Sequence, residues 1–180
     1  MYTTEEEIIH FIFKAFNNKK RIKEDIDLVF HSIMVGNMLK NEGCTDEVVY
    51  IGYLHDIIED TKYDYAYLKD KYGKVIADAV LNLSEDKSII DYKERKLKFI
   101  NSLSKVSNDI LMVELADKLQ NLISDYSNYI KAGKEELIVE ADSFENLKWY
   151  YVTLQGLFNN KLESNNLLDR YNKIIEVYFK

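Results

Sequence analysis

Three histidines occur in the chain, His10, His31 and His55, and one of them sits among several carboxylates. His55 opens the run His55-Asp56-Ile57-Ile58-Glu59-Asp60, an imidazole and three acids inside an otherwise apolar stretch. On a helix, residues three or four apart share a face. Glu59 lies three after Asp56 and four after His55, and Asp60 lies four after Asp56, so these groups can point into one pocket. Carboxylates held that close repel one another, and burial raises the cost. A divalent cation removes the conflict. Imidazole and carboxylate ligands together suit manganese, iron or zinc.

A His-Asp pair supplies only two ligands. His31 is well placed to add a third, because a short connection would make its helix an antiparallel neighbour of the His55 helix. Asp117 is a fourth candidate, a charge in the middle of the apolar run Val113-Glu114-Leu115-Ala116-Asp117-Lys118-Leu119. Asn121 lies four residues later on the same face and could contact a substrate beside the metal. Each residue also has a plainer reading. Asp117 could be solvated and paired with Lys118 or Lys131. Glu59 and Asp60 could end a helix, although acids at a C-terminus oppose the helix dipole. His10 has no acidic cluster around it and reads as a surface or core-edge residue. The triplet Trp149-Tyr150-Tyr151 reads as core rather than as a ligand platform.

The elements that must position these residues read as helices throughout. The chain has 180 residues, no proline and 6 glycines. β-rich folds need tight turns built from those two residues, so their scarcity predicts an all-α chain. At this length we expect one domain over 1–180. The first helix starts after Thr3 or Thr4, with Glu5, Glu6 and Glu7 in its first turn. A second runs through Val29, Phe30, Ile33, Met34 and Met38 and stops near Gly43. Thr45 or Asp46 caps a third, Val48 to about Ile58. Two short helices flank Gly73, an amphipathic one covers about Asp91 to Ser104, and Asn108 or Asp109 caps the helix that carries Asp117. Two long helices follow, the last within 163–180. The total is roughly nine or ten helices.

Composition excludes several classes of function. The net charge is −7 and the pI about 5.1, where broad nucleic-acid binding needs a basic surface. No apolar run reaches the roughly 18 residues of a membrane span. The N-terminal residues are acidic where a secretory signal would be basic. Cys44 is the one cysteine, which removes an internal disulfide and a Cys-cluster zinc site, so a reducing, cytoplasmic setting is the default.

Taken together, His31, His55-Asp56 and Asp117 resemble the pattern of the HD-domain superfamily of metal-dependent phosphohydrolases. More specifically, His55-Asp56-Ile57-Ile58-Glu59-Asp60-Thr61 resembles the HDxxEDT motif of the RelA/SpoT hydrolase domain, and Leu115-Ala116-Asp117-Lys118-Leu119-Gln120-Asn121 resembles its LADKxxN segment. Arg21, ten residues before His31, matches the arginine of that family's nucleotide site. Lys69-Asp70-Lys71-Tyr72-Gly73 and Glu94-Arg95-Lys96 fit in order and spacing. The likeness extends from about residue 11 to about residue 158.

The resemblance implies an all-helical HD-domain bundle acting as a stand-alone small alarmone hydrolase. Such an enzyme removes the 3′-pyrophosphate of ppGpp or pppGpp, giving GDP or GTP, and usually uses Mn²⁺. By position it implies His31, His55, Asp56 and Asp117 as metal ligands, Glu59 and Asp60 as the catalytic pair, and Arg21 and Asn121 as nucleotide contacts. The partner implied is a small nucleotide, not a nucleic acid or a membrane. Two other readings are a phosphohydrolase for another nucleotide, such as a nucleoside monophosphate or the NADPH 2′-phosphate, and a non-catalytic helical interaction protein. The chain departs from the family pattern at Asp27-Leu28 and Ser32, where prolines are usual, and at Lys23-Glu24-Asp25, where a glycine is common. These departures alter the loop beside the nucleotide base.

Overall fold

The structure, a computed structural model, describes residues 4–21, 25–132 and 141–180. Among the described residues there are ten helices and no strand. The N-terminal half holds α1 (Glu5–Phe16), α2 (Val29–Asn41), α3 (Asp46–Leu54), α4 (Ile57–Asp60), α5 (Tyr65–Tyr72) and α6 (Lys74–Leu83). The C-terminal half holds α7 (Tyr92–Leu103), α8 (Asn108–Ala132), α9 (Phe144–Lys161) and α10 (Asn166–Tyr178). The all-α expectation holds. Lys23 and Glu24, part of the loop that departs from the family pattern, lie outside the described residues.

Local chemistry sets most boundaries. Thr4 and Glu7 form a reciprocal capping box at the start of α1. Asn17 at its end adopts the left-handed conformation that asparagine tolerates. Gly43, at φ +80°, closes α2 where the sequence places its stop. The side chains of Asp64, Asp91, Ser143 and Asn165 cap α5, α7, α9 and α10.

Helix α8 is the axis of the molecule. It packs against α2, α3, α6, α9 and α10, and Leu111, Val113, Leu115, Ala116, Leu119 and Leu122 are all buried along it. Full burial of one such leucine contributes roughly 1.5–3 kcal/mol. On the far side, α10 closes against α8 and α9 through Tyr171, whose hydroxyl donates to the Tyr151 carbonyl at 3.0 Å. Tyr150 and Tyr151 are core residues, as their setting predicts, while Trp149 is only partly buried.

One element differs from expectation. The third helix does not run to Ile58. It ends at Leu54, and a new turn, α4, starts at Ile57. The Gly52 carbonyl, which an unbroken helix would offer to the Asp56 N–H, accepts the His55 Nδ1–H at 2.7 Å. Asp56 takes φ −90° and ψ 0°, a sparsely allowed conformation. The break turns His55 and Asp56 toward the same point.

Helices α2 and α3 meet closely because two glycines face each other. A Cβ on Gly52 would lie 2.5 Å from Leu39 Cδ1 and 3.2 Å from the Gly36 Cα, and a Cβ on Gly36 would lie 2.2 Å from the Tyr53 ring. Tyr53 cannot easily yield, because its ring is buried and its hydroxyl is held by Glu5 at 2.7 Å and Asn37 at 3.0 Å. Gly36→Ala is therefore expected to lower the unfolding free energy by about 1–3 kcal/mol, the usual cost of overpacking. Urea denaturation followed by circular dichroism measures it, and an unchanged midpoint would show that the two helices separate at no cost.

Candidate active site

Three helices bring four of the sequence-predicted ligands together. His31 comes from the first turn of α2, His55 and Asp56 from the break after α3, and Asp117 from the middle of α8. His31 Nε2 lies 3.1 Å from His55 Nε2, 3.0 Å from Asp117 Oδ1 and 3.6 Å from Asp56 Oδ2. His55 Nε2 lies 3.1 Å from Asp56 Oδ2 and 3.8 Å from Asp117 Oδ1. His31, His55 and Asp117 are buried, and each offers a ligand atom within 4.8 Å of the others. The reading of Asp117 as a solvated charge fails. It does pair with Lys118, at 2.7 Å, but inside the protein.

The two ring Nδ1 atoms face outward from this cluster. His55 Nδ1–H donates to the Gly52 carbonyl and His31 Nδ1–H to Gln120 Oε1. Both acceptors are carbonyl oxygens, so both Nδ1 atoms carry a hydrogen and both Nε2 atoms are turned toward the cluster, where a cation could take the place of any proton they hold. Burial opposes charge on His55, but the neighbouring Asp56 carboxylate, with Asp117, outweighs it and raises the pKa to about 10. Burial likewise opposes ionisation of Asp56 and Asp117. The His55 charge holds Asp56 below the usual carboxylate value, and Lys118 with His31 holds Asp117 well below it. The field at this point favours positive charge, and the donor set, two imidazole nitrogens and carboxylate oxygens, fits a divalent metal.

The cluster opens into a cavity of about 900 Å³ lined by Arg21, Glu59, Asp60 and Asn121 as well as by His31, Asp56 and Asp117. Glu59 Oε2 accepts the Glu85 N–H at 3.0 Å, and its other oxygen meets Lys87 at 3.0 Å. Burial, then the charge of Asp56, raise its pKa. Asp60 pairs with Lys19 at 2.6 Å and faces Lys87 at 3.6 Å. The connection between α1 and α2 is pinned by the backbone bonds Arg21 N–H to Ile26 O and Leu28 N–H to Lys19 O, which turn Arg21 inward. Lys20 instead pairs with Asp27 and Asp25 on the surface. Arg21 donates to Gln120 Oε1 at 2.8 Å and to Asn121 Oδ1 at 3.2 Å, and Asn121 Nδ2 donates to Asp117 Oδ1 at 2.6 Å. His10 is exposed and far from this chemistry in role, as expected.

The fold and this arrangement match the HD-domain pattern that the sequence resembles. No family model matches the chain. It is 33% identical over 112 residues to the Drosophila melanogaster guanosine-3′,5′-bis(diphosphate) 3′-pyrophosphohydrolase MESH1, a match that takes in 61% of this chain and 62% of that protein. The protein of the same name from Danio rerio is 33% identical over 111 residues, covering 61% of each chain. The one from Xenopus tropicalis is 27% identical over 150 residues, covering 81% of this chain and 80% of the relative. Two solved structures share the fold. One, of a metazoan ortholog of SpoT that hydrolyzes ppGpp, superposes with a TM-score of 0.78 at 24% identity over 99% of this chain and 98% of the other. The other, lmo0812 from Listeria monocytogenes EGD-e, gives 0.73 at 27% identity over 83% and 96%. The chain is thus similar to the MESH1 pyrophosphohydrolases in sequence, over 61–62% of the length of the Drosophila and Danio proteins, and to the SpoT ortholog in fold.

Several site residues carry no signal in the HDxxEDT and LADKxxN spacing. Lys19 and Lys87 brace the acidic pair from distant segments. Gln120 is an uncharged amide. Glu114 could have been found by the reasoning that found Asp117, since it too is a charge in an apolar run. It is buried one turn before Asp117, 3.4 Å from Lys118, and burial raises its pKa to about 8 despite that lysine. The folded state therefore keeps a proton that the unfolded chain, titrating near 4.5, releases. Glu114 costs nothing below pH 4.5 and destabilises increasingly as pH rises toward 8. In thermal scans the midpoint of Glu114→Gln minus that of the wild type is expected to grow more positive from pH 5 to pH 8 and then level off. A difference that does not vary with pH would mean that Glu114 ionises normally.

Proposed function

We propose that the chain is a metal-dependent hydrolase that removes the 3′-pyrophosphate of ppGpp or pppGpp, with Mn²⁺ as the cofactor. The observation that carries this reading is the convergence of two imidazole Nε2 atoms, 3.1 Å apart, with the carboxylates of Asp56 and Asp117. The named activity of the MESH1 relatives supplies the substrate class.

His31, His55, Asp56 and Asp117 hold the metal. When bound, it supplies positive charge against the phosphoryl oxygens and acidifies the attacking water. The remaining work falls to the protein. Glu59, its pKa raised by burial, accepts the proton from that water, and Lys87 and the Glu85 N–H fix its orientation. Asp60, held by Lys19, forms the other wall of the water site. Arg21 and Asn121 face the nucleotide, where a guanidinium can grip phosphate with two parallel hydrogen bonds. The water oxygen bonds to the 3′-phosphorus, the bond to the ribose 3′-oxygen breaks, and a proton passes to that oxygen. Pyrophosphate leaves, and GDP or GTP remains. Positioning and charge neutralisation dominate, as in phosphoryl transfer generally.

With Mn²⁺ and a panel of nucleotides, the purified protein is expected to consume ppGpp and release GDP and pyrophosphate in equal amounts, with EDTA abolishing turnover. Faster turnover of nucleoside monophosphates, or phosphate release from NADPH, would move the assignment to the other nucleotide reading. No turnover of any nucleotide in metal-loaded protein would favour the interaction protein.

The two groups of residues are separable by mutation. Asp56→Ala is expected to lose bound metal and activity together. Glu59→Ala is expected to retain the metal and lose turnover on the order of 10²-fold or more. Metal content by atomic emission beside kcat distinguishes them, and near-normal turnover in Glu59→Ala would remove Glu59 from the proton transfer.

A further inference from the structure

We propose that Gln120 is a positioning residue for both halves of the site: it sets the His31 ring with Nε2 toward the cation point and holds the Arg21 guanidinium at the cavity wall. This rests on the metal reading above and goes beyond it, since Gln120 is neither a metal ligand nor an acid or base.

Gln120 is buried on α8 between these two residues. Its Oε1 accepts from His31 Nδ1 and from Arg21 Nη1, which uses both lone pairs of one carbonyl oxygen. Guanidinium only donates, so the amide oxygen, not the nitrogen, must face this side. His31 must therefore carry a hydrogen on Nδ1, which turns Nε2 toward the cation point. Metal-binding histidines are commonly oriented in this way by an acceptor behind the ring. Arg21 Nη2 reaches Asn121 Oδ1, Asn121 Nδ2 reaches Asp117 Oδ1, and Asp117 Oδ1 returns to His31 Nε2 at 3.0 Å. Five residues close a ring in which the cation point and the phosphate-facing guanidinium share one hinge. The amide nitrogen of Gln120 faces the Met34 sulfur at 3.8 Å. An apolar residue here would leave the buried His31 Nδ1–H and an Arg21 N–H without this acceptor, so some loss of stability is expected beside the loss of positioning.

Mn²⁺ titration of the metal-free wild type, Gln120→Leu and Gln120→Glu, followed by KM and kcat for ppGpp at saturating Mn²⁺, tests the proposal. Gln120→Leu is expected to weaken Mn²⁺ binding about 10–100-fold, the usual cost of losing an outer-shell partner. It should also raise KM several-fold with a smaller change in kcat, a split that a general loss of stability would not produce. Gln120→Glu keeps the shared acceptor and should restore Mn²⁺ affinity. Should Gln120→Leu not fold, Gln120→Asn, one methylene too short to span both donors, is expected to show the same two losses. Wild-type Mn²⁺ affinity and KM in the foldable variant would overturn the role of Gln120 alone. A wild-type chain that takes up no Mn²⁺ would overturn the metal reading and this proposal together.

Discussion

The structure turns on a juxtaposition that is unfavourable by itself. Two imidazoles and two carboxylates from three separate helices are held within about 4 Å of one point, mostly away from solvent. Groups so placed stay together only if the packing around them contributes more than their mutual repulsion and desolvation cost. Here that packing is α8, whose apolar residues are buried on several sides, together with the glycine-mediated contact of α2 and α3. The site is a polar inclusion where α2, α3 and α8 pack together. Rigid surroundings are what a fixed coordination geometry requires, because ligands that can relax apart lose their preference for a cation.

Much of this was legible from residue types and spacing. Asp117 stood out because a charge in an apolar helical stripe needs a reason, and His55-Asp56 because acids crowd around an imidazole. His31 followed from the antiparallel pairing that a short connection enforces. The break after Leu54 was not legible. Apolar periodicity continues through Ile57 and Ile58, and the helix yields to a competing side-chain bond from His55 to the Gly52 carbonyl, a local event with no compositional mark. The braces of the acidic pair were hidden for a different reason. Lys19 and Lys87 reach Asp60 and Glu59 from far along the chain, and among 21 lysines nothing in the sequence distinguishes these two. An amide such as Gln120 carries neither charge nor a spacing rule, so its place in the ring of hydrogen bonds appears only in three dimensions.

Net charge is a poor guide to what this cavity accepts. The chain carries −7, yet the proposed substrate is a polyanion. At physiological salt, charges more than about 8 Å away are largely screened, so the cations lining the cavity outweigh acids elsewhere on the surface. Those cations are not idle: Lys19 leans on Asp60, Lys87 on Glu59, and Arg95 and Lys96 on Glu85. Pairing of this kind holds flexible side chains in place before a ligand arrives, which lowers the ordering cost of binding. It also links the two tasks of the site. If phosphate oxygens drew Lys87 toward themselves, Glu59 would lose part of the positive charge that opposes the rise in its pKa. In the proposed reaction that carboxylate would then be a better proton acceptor while the nucleotide is in place. Binding the proposed polyanion and preparing the proposed base would in this sense be one electrostatic event.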